Sequence, residues 1–575
     1  MSLRKIGTLG ETGMTRTKAT GRSAVARGRS LAMLVTSLGL AAGGATAQTA
    51  PSPGAVLQQT APAPAAITAP SAPIVLPARK SRKTGSRVPI PVRKLKITGN
   101  HLISTRKLQT LVAPAEGRTL TLDQLNAVVH RITAAYHKAG YPVAYAYLPA
   151  QTVRAGVIRV DVVEPTYDRI EVTGTSRFSA AQTRATLGVK TGEPVAEGPL
   201  SRGLLLLQET PGLVVNGMLL PGAAPGTTSL RIARKDAPLL SGRVSLDNHG
   251  NAYTGRVLSQ FSVTAADPFG QGSALSANAT VSQSTDLKAG GIDAISPDLG
   301  NGLRFGAYGS WTDYRLGGPF AGLDQHGQAR QLGADLSYPL VLAPGRQLGL
   351  RVDLTDTRLS QETLSTGAVT RQHLRIASFS LSGAVSGAKG GVTSGRVALN
   401  LGTLSLAPAA ARAADAAGPN AAGSFALLRF RLAQDQPLGG GYALRAALSG
   451  QLANRNLDSS QKFYIGGPDG VMSTDVGDAG GDEGVLLRLR LSHGIRSSLP
   501  GRLTAMGLAQ WGTVRVNHSP YAGASGPNRL SAGALGLGID YVQDRWSFNA
   551  TAAAPFGGQG LTTGARLWLS AGIRF

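Results

Sequence analysis

The chain closes on GARLWLSAGIRF, Gly564–Phe575, an alternation that runs to its last residue. In an extended strand successive side chains point to opposite faces. Leu567, Leu569, Ala571, Ile573 and Phe575 therefore share one face, and Arg566, Ser570, Gly572 and Arg574 the other. A soluble sheet can end on such an edge strand, so the residues upstream decide between the readings. From about Leu239 the same pattern recurs, segment after segment, with Gly, Pro, Asn, Asp or Ser between. Leu348, Leu350, Val352 and Leu354 oppose Arg351, Asp353 and Thr355; Leu444, Ala446 and Leu448 oppose Arg445 and Ser449; Val485, Leu487, Leu489 and Leu491 oppose Arg488 and Arg490.

A β-sandwich also alternates, apolar side inward. A membrane barrel alternates between lipid and a wet lumen, and only a closed barrel shows strands to lipid with every backbone group paired. The start of the chain favours the barrel. Residues 1–47 read as a secretory signal peptide: a basic stretch, an apolar core from Leu31 to about Ala42, and Ala45-Thr46-Ala47 before the expected cleavage. The apolar core falls short of the ~20 residues a spanning helix needs. The long basic lead makes Met14 an alternative start. With 75 glycines, 16% charged residues and no cysteine, the composition suits neither a disordered chain nor a thiolate metal site or catalytic thiol. At ~20 residues per strand and connector, residues 238–575 predict about sixteen strands. The net charge of +26 is concentrated in the leader, the segment after it and the inward arginines Arg304, Arg351, Arg429, Arg431 and Arg445, so nucleic acid is not the expected partner.

Residues 48–91 are rich in Ala and Pro and read as an extended tether. Between Pro53 and Pro62 it offers AVLQQTA, too short for a long helix. A repeat with an offset of 75 residues follows: LKITG at Leu95–Gly99 answers IEVTG at Ile170–Gly174, with Ser104/Ser179, Gly117/Gly192 and Leu125/Leu200 in step. The two copies, 92–165 and 166–237, read as tandem α+β modules of order β-α-α-β-β, with capping boxes at Thr121–Gln124 and Ser179–Gln182. His130 and His137 are read as surface or interdomain residues, and no metal-ligand spacing, nucleophile motif or phosphate loop is present.

The run AGYPVAYAYLPAQTVRAGVIRVDVVEPTYDRIEVTG, with Gly140-Tyr141, Leu148-Pro149-Ala150-Gln151 and Gly156, resembles the polypeptide-transport-associated (POTRA) domain of two-partner secretion transporters, the TpsB group of ShlB/FhaC/HecB type. LDNHGNAYTG and DPFGQGSALS are similar to that family's first barrel hairpin. The resemblance implies two POTRA modules and a transmembrane antiparallel β-barrel of about 16 strands in the outer membrane of a Gram-negative bacterium, the modules in the periplasm. It implies a monomeric channel without catalysis or cofactor, among outer-membrane lipid and lipopolysaccharide. Tyr141, Leu148, Pro149, Gln151 and Gly156 would help capture the secretion-signal domain of an exoprotein, by strand addition or along a helix–strand groove. The unfolded cargo would then thread the lumen. Leu569, Ala571, Ile573 and Phe575 would be read by the barrel-assembly machinery. An assembly factor of the same superfamily and a passive anion-preferring pore are the alternatives.

One departure stands out. The family folds a long loop into the lumen, with an Arg at its tip that pairs with an Asp of an F-x-D motif on the wall. Here the loop, about 463–484, reads FYIGGPDGVMSTDVGDAGGDEG: Phe463, Gly466, Gly467 and Val471 are kept, but Met472-Ser473-Thr474 forms the tip. The wall has Leu508 and Gln510 in place of Phe and Asp. Both ends of the ion pair are absent together; either the loop still folds inward with Asp469 or Asp475 paired to Arg488 or Arg490 instead, or it is simply looser, as in a specialised or weakened relative.

Overall fold

The computed structural model describes residues 52–60, 67–71, 74–75, 88–284 and 286–575. Residues 1–47, read as a signal peptide, lie outside the described residues.

Among the described residues sixteen antiparallel strands close a barrel, from Leu240–Asp247 to Arg566–Arg574. The seam pairs Arg243–Asp247 with Arg574–Ser570, and the last residue extends it: Gly242 and Phe575 exchange both backbone hydrogen bonds. Through the middle of the wall the outward side chains are apolar and bare. Leu537 is 74% exposed, Ile292 69% and Leu332 68%, values that a water-facing wall repeated over every strand would not tolerate but a lipid-facing one requires. Leu567, Leu569 and Phe575 belong to this outer face.

Turns at one mouth are short (residues 344–345, 440–441 and 544–545), while the other mouth carries the connections 408–422, 454–482 and 516–528. The second module docks on the short-turn mouth. Arg202 Nη2 donates to the carbonyls of Asn301 and Pro339, both at 3.0 Å, Arg177 Nη2 donates to Ala266 O at 3.3 Å, and Leu205, Leu206 and Leu342 close an apolar contact.

Both modules have the order read from the repeat. In the first, Lys94–Thr98, Val157–Val163 and Tyr145–Tyr147 form a three-stranded sheet, covered by the helices Thr105–Val112 and Leu122–Lys138. The capping box at Thr121 forms, and Leu125, Val128, Val129, Ile132 and Tyr136 face the core. PVAYAYLP yields only three strand residues, because Pro142 and Pro149 remove ladder donors at its ends. Glu164 ties the module together: its carboxylate, 8% exposed, accepts from the N–H groups of His101 and Leu102 and from the Tyr136 hydroxyl. Glu164→Ala strands these donors and is expected to destabilise this module by about 3 kcal/mol. Hydrogen exchange on the full chain checks this, as lost protection in 101–136. Unchanged protection would contradict it.

The second module has a fourth strand. Thr166–Thr173, Leu213–Pro221 and Thr227–Asp236 come from the module itself, but Ile74–Val75 adds parallel to Gly217–Met218 at the free edge. The Asp168 carboxyl fastens the first of these strands to the turn beyond Pro221. The Ala223 N–H and the Ser229 hydroxyl hold its pKa below the usual carboxylate range.

The segment read as a plain tether is thus partly structured. Pro53–Thr60 is a helix, because Pro53 stands in the first turn, where no N–H is needed, and the next proline is Pro62.

Candidate functional site: a lumen occupied by the chain's own segments

The connection 454–482 leaves the long-loop mouth and turns into the barrel. Its base is held by Asp482, fully buried, which accepts from the N–H groups of Leu457 and His518 and pairs with Lys462 Nζ at 2.9 Å. Phe463–Tyr464 then pairs with Gly480–Gly481, so the stem is a small hairpin. Beyond it the chain doubles back on itself. A Cβ on Gly466 would lie 2.1 Å from the Asp475 carbonyl oxygen, so only glycine fits this packing.

The tip is pinned by backbone groups rather than by a charge. Met472 N–H donates to Gln510 Oε1 and Trp568 Nε1 donates to Met472 O, both at 2.9 Å. Ser473 Oγ donates to Gly533 O at 3.0 Å, and Gly564 N–H donates to Ser473 O at 2.9 Å. Around these bonds Ile465, Val471 and Met472 pack on Leu508, Ala534 and Trp568. The wall positions Leu508 and Gln510 therefore face the tip, with a neutral contact where the family pattern has an ion pair.

The ionic contact lies three residues on. Asp475 pairs with Arg256 Nη1 at 3.0 Å and with Arg566 Nη1 and Nη2 at 2.8 and 2.9 Å, not with Arg488 or Arg490 as the sequence suggested. For Asp475 the expectation fails because the hairpin stem turns it toward the seam strands and away from Glu483–Ile495. Asp469 does meet Arg488, as expected, but only in a long, exposed ion pair: its side chain is 98% exposed and 3.9 Å from Arg488 Nη1, which also donates to the Asp469 backbone carbonyl at 2.7 Å. Arg490 makes no hydrogen bond or ion pair among the described residues.

The helix Pro53–Thr60 fills the space beside this loop. Val56 is buried with Tyr253, Leu287 and Tyr314, and Leu57 packs against a cluster that includes Leu374, Leu404 and Leu427. Gln58 donates to the carbonyls of Ser460 and Lys462, Gln59 Oε1 accepts from Asn251 at 2.7 Å, and Thr60 Oγ1 lies 3.2 Å from Thr312 Oγ1. Toward the short-turn mouth the inner wall is basic. Arg396 stands directly across from Arg431, and Arg445 from Arg490. Among the described residues no group of three or more acidic or histidine side chains is arranged to hold a metal ion.

The sequence pattern of the POTRA domain, ShlB-type, matches residues 90–165, and that of the haemolysin secretion/activation proteins ShlB/FhaC/HecB matches residues 226–539, more than half of the chain. The chain belongs to the haemolysin secretion/activation family. Among relatives of this two-partner secretion family, the heme/hemopexin transporter protein HuxB of Haemophilus influenzae is 26% identical over 413 residues, which cover 72% of this chain and 73% of that protein. CdiB from Escherichia coli has the same fold, with a TM-score of 0.70 at 17% identity over 87% of this chain and 93% of the other. CdiB from Acinetobacter baumannii gives 0.63 at 15%, over 88% and 95%. Members are outer-membrane transporters with periplasmic POTRA modules, which sets the short-turn mouth in the periplasm and the long connections outside.

The family-matched POTRA residues are spent on the module's own frame. The Gln151 side chain accepts from Arg159 N–H and donates to Arg159 O, both at 2.8 Å, acting as one rung of a missing strand. Gly156, at φ 69°, accepts from Arg93 N–H at 2.7 Å in a turn against the strand Lys94–Thr98. Tyr141 stacks edge-on against Tyr136 at 6.2 Å, and it and Leu148 border the core. The sequence reading missed Arg256, Arg566 and Trp568, and it placed Ser473 at the tip without its partner Gly533. Trp568 had left a signal: it is the large apolar residue on a face otherwise made of Arg, Ser and Gly, where a wet lumen gives it no reason to stand.

Proposed function

We propose that this chain is a protein-exporting channel that captures an unfolded exoprotein with its two periplasmic modules and passes it through the barrel to the cell surface. The observation that carries this is the nature of the lumen's contents. Chain segments occupy it, and beyond the base at Asp482 they are held by neutral hydrogen bonds, the ion pairs of Asp475 and a long, exposed pair at Asp469, contacts that can be exchanged for those of another extended polypeptide. The second module sits at the mouth by which such a polypeptide would enter, and an edge of its sheet already takes an added strand, Ile74–Val75, the kind of pairing by which an extended cargo segment would be captured. In this reading Tyr141, Leu148, Pro149, Gln151 and Gly156 shape the receiving module. Leu569, Ala571, Ile573 and Phe575 serve the assembly of the barrel, and the chain works as a monomer.

Deleting the gene in its host tests this. The expected result is that one large protein disappears from the medium and is found degraded in the periplasm, restored by the full chain but not by a chain lacking 92–165. A general loss of unrelated barrels from the outer membrane would instead mark an assembly factor, and an unchanged medium would mark a passive pore.

A further inference from the structure

Four neighbouring strands, Gln325–Ala343, Arg346–Thr363, Ala368–Ser386 and Val392–Ala407, share one stretch of the outer wall. Their outward positions are apolar through the middle: Leu336 and Leu332, then Leu354, then Phe379, then Leu399 and Leu401, each at least 41% exposed. One or two positions further toward the extracellular mouth the same face turns basic. Arg330 follows Leu332, Arg358 follows Leu354 and Asp356, and Arg375, His373 and Arg371 follow Ala377. The register makes these side chains immediate neighbours. Arg330 pairs across with Arg358, Arg358 with His373, and Asp356 with Arg375.

One carboxylate serves the group. Asp356 lies 2.7 Å from His373 Nε2 and 3.5 Å from both Arg358 Nε and Arg375 Nε. Arg330 and Arg371 make no hydrogen bond or ion pair among the described residues. Of the other carboxylates on this face, Asp313 is engaged by Gln328 and Glu362 lies nearer the rim. Like charges directly opposite one another on a sheet destabilise it, and arginine on a lipid-facing wall costs more the deeper it lies. Four arginines against one aspartate at the edge of the apolar band are thus an unfavourable arrangement, unless anionic groups at that depth meet them. Below the arginines the wall is concave. Leu332, Leu354, Ala377, Leu401 and Ala426 line a trough with Asp356 and Arg375 on its upper lip. Trp311, 49% exposed and across from Arg330, stands at the level where aromatic girdles meet the interface.

We infer that this patch is a binding site for a phosphorylated glycolipid of the outer leaflet, its phosphates on Arg330, Arg358, Arg371 and Arg375 and its acyl chains in the trough beneath. The occupant is a lipid because the site lies on the membrane-facing wall. It carries more than one phosphate because four guanidinium groups, less one carboxylate, leave an excess that a zwitterionic or singly charged headgroup does not neutralise. Planar guanidinium groups suit bidentate phosphate contact. This site is independent of what the channel exports.

The test uses the full mature chain in non-ionic detergent, stripped of lipid, with bis-phosphorylated hexa-acyl lipid A as the probe and native mass spectrometry as the readout. The chain is expected to bind it about a thousandfold more tightly than the Arg330→Gln/Arg358→Gln/Arg371→Gln/Arg375→Gln variant does, on the scale that each basic side chain contributes near an anionic surface. Dephosphorylated lipid A and phosphatidylglycerol should bind as weakly to the native chain as lipid A does to the variant, and millimolar inorganic phosphate should not displace lipid A. Equal binding by chain and variant, or equal binding of any of the three lipids, would overturn the proposal. If the fourfold variant fails to show a heat-modifiable barrel, Arg330→Gln/Arg371→Gln removes only the two partnerless guanidiniums. A loss of about thirtyfold then supports the site, and no loss overturns it.

Discussion

Removing the helix 53–60 together with the loop tip 466–478 is expected to turn a small, flickering conductance into a large, steady one. The two segments occupy the lumen jointly. Gln58 bridges to the carbonyls of Ser460 and Lys462, and a Cβ on Gly54 would meet Ser460. Each segment also has its own seat on the wall, so deleting one leaves the other in place. Without the helix, the loop keeps Gln510, Trp568 and the arginines at Asp475; without the tip, the helix keeps Val56 and Leu57 in their clusters. Either single deletion is therefore expected to yield only a partial, fluctuating increase. Bridging 465 to 479 with a short Gly-Ser segment preserves the hairpin of Phe463–Tyr464 with Gly480–Gly481, and the barrel is not otherwise disturbed. The opened pore should prefer anions, since Arg396, Arg431, Arg445 and Arg490 line its periplasmic half with only Asp435 paired among them. Planar-bilayer recordings in a salt gradient report both quantities. A double deletion that stayed closed would mean that other parts of the chain seal the lumen and that the two segments are not its gate. A cation-selective open state would remove the arginine wall from the account.

The sequence carried the barrel because alternation is local. Leu567, Leu569, Ala571 and Ile573 declare an apolar face within seven residues, and lipid on one side with water on the other enforces that period on every strand. It carried the modules because the repeat and the two capping boxes are local too. The contact at the loop tip was half legible: Leu508 and Gln510 were placed opposite the tip by alignment with the family pattern, but that Gln510 would accept from a backbone N–H, rather than face a charge, depends on where the hairpin stem sends Met472. The partners of Asp475 stand at positions 256 and 566, near the two ends of the barrel sequence, and become neighbours only because the barrel closes. No local pattern encodes that. The strand Ile74–Val75 was hidden for a similar reason, since its pairing is supplied by an edge of the second module about 140 residues away and not by its own composition.

Asp475→Asn should loosen the loop far more than Asp469→Asn. The Asp475 carboxylate is 17% exposed and Arg566 19%, so this pair is shielded from solvent, whereas the Asp469 side chain is 98% exposed. Removing the charge leaves Arg256 and Arg566 facing each other across a neutral amide. One-sided removal of a buried partner costs about 3–5 kcal/mol, but water in the lumen screens part of it. An increase in open probability of one to two orders of magnitude, at about 1.4 kcal/mol per tenfold, is the expected result in single-channel records. Asp469→Asn should change it less than about twofold, because an exposed pair is worth little and Arg488 holds the backbone carbonyl, which the substitution keeps. Adding Arg256→Gln and Arg566→Gln to Asp475→Asn separates charge from shape. If the cost is the uncompensated pair of guanidiniums, the triple variant closes more often than the single one. If it opens as often, the lost contacts and not the stranded charges held the loop. If none of these variants departs from the native chain, the seam cluster does not gate the pore, and the neutral bonds at Met472 and Ser473 are left to hold the tip alone.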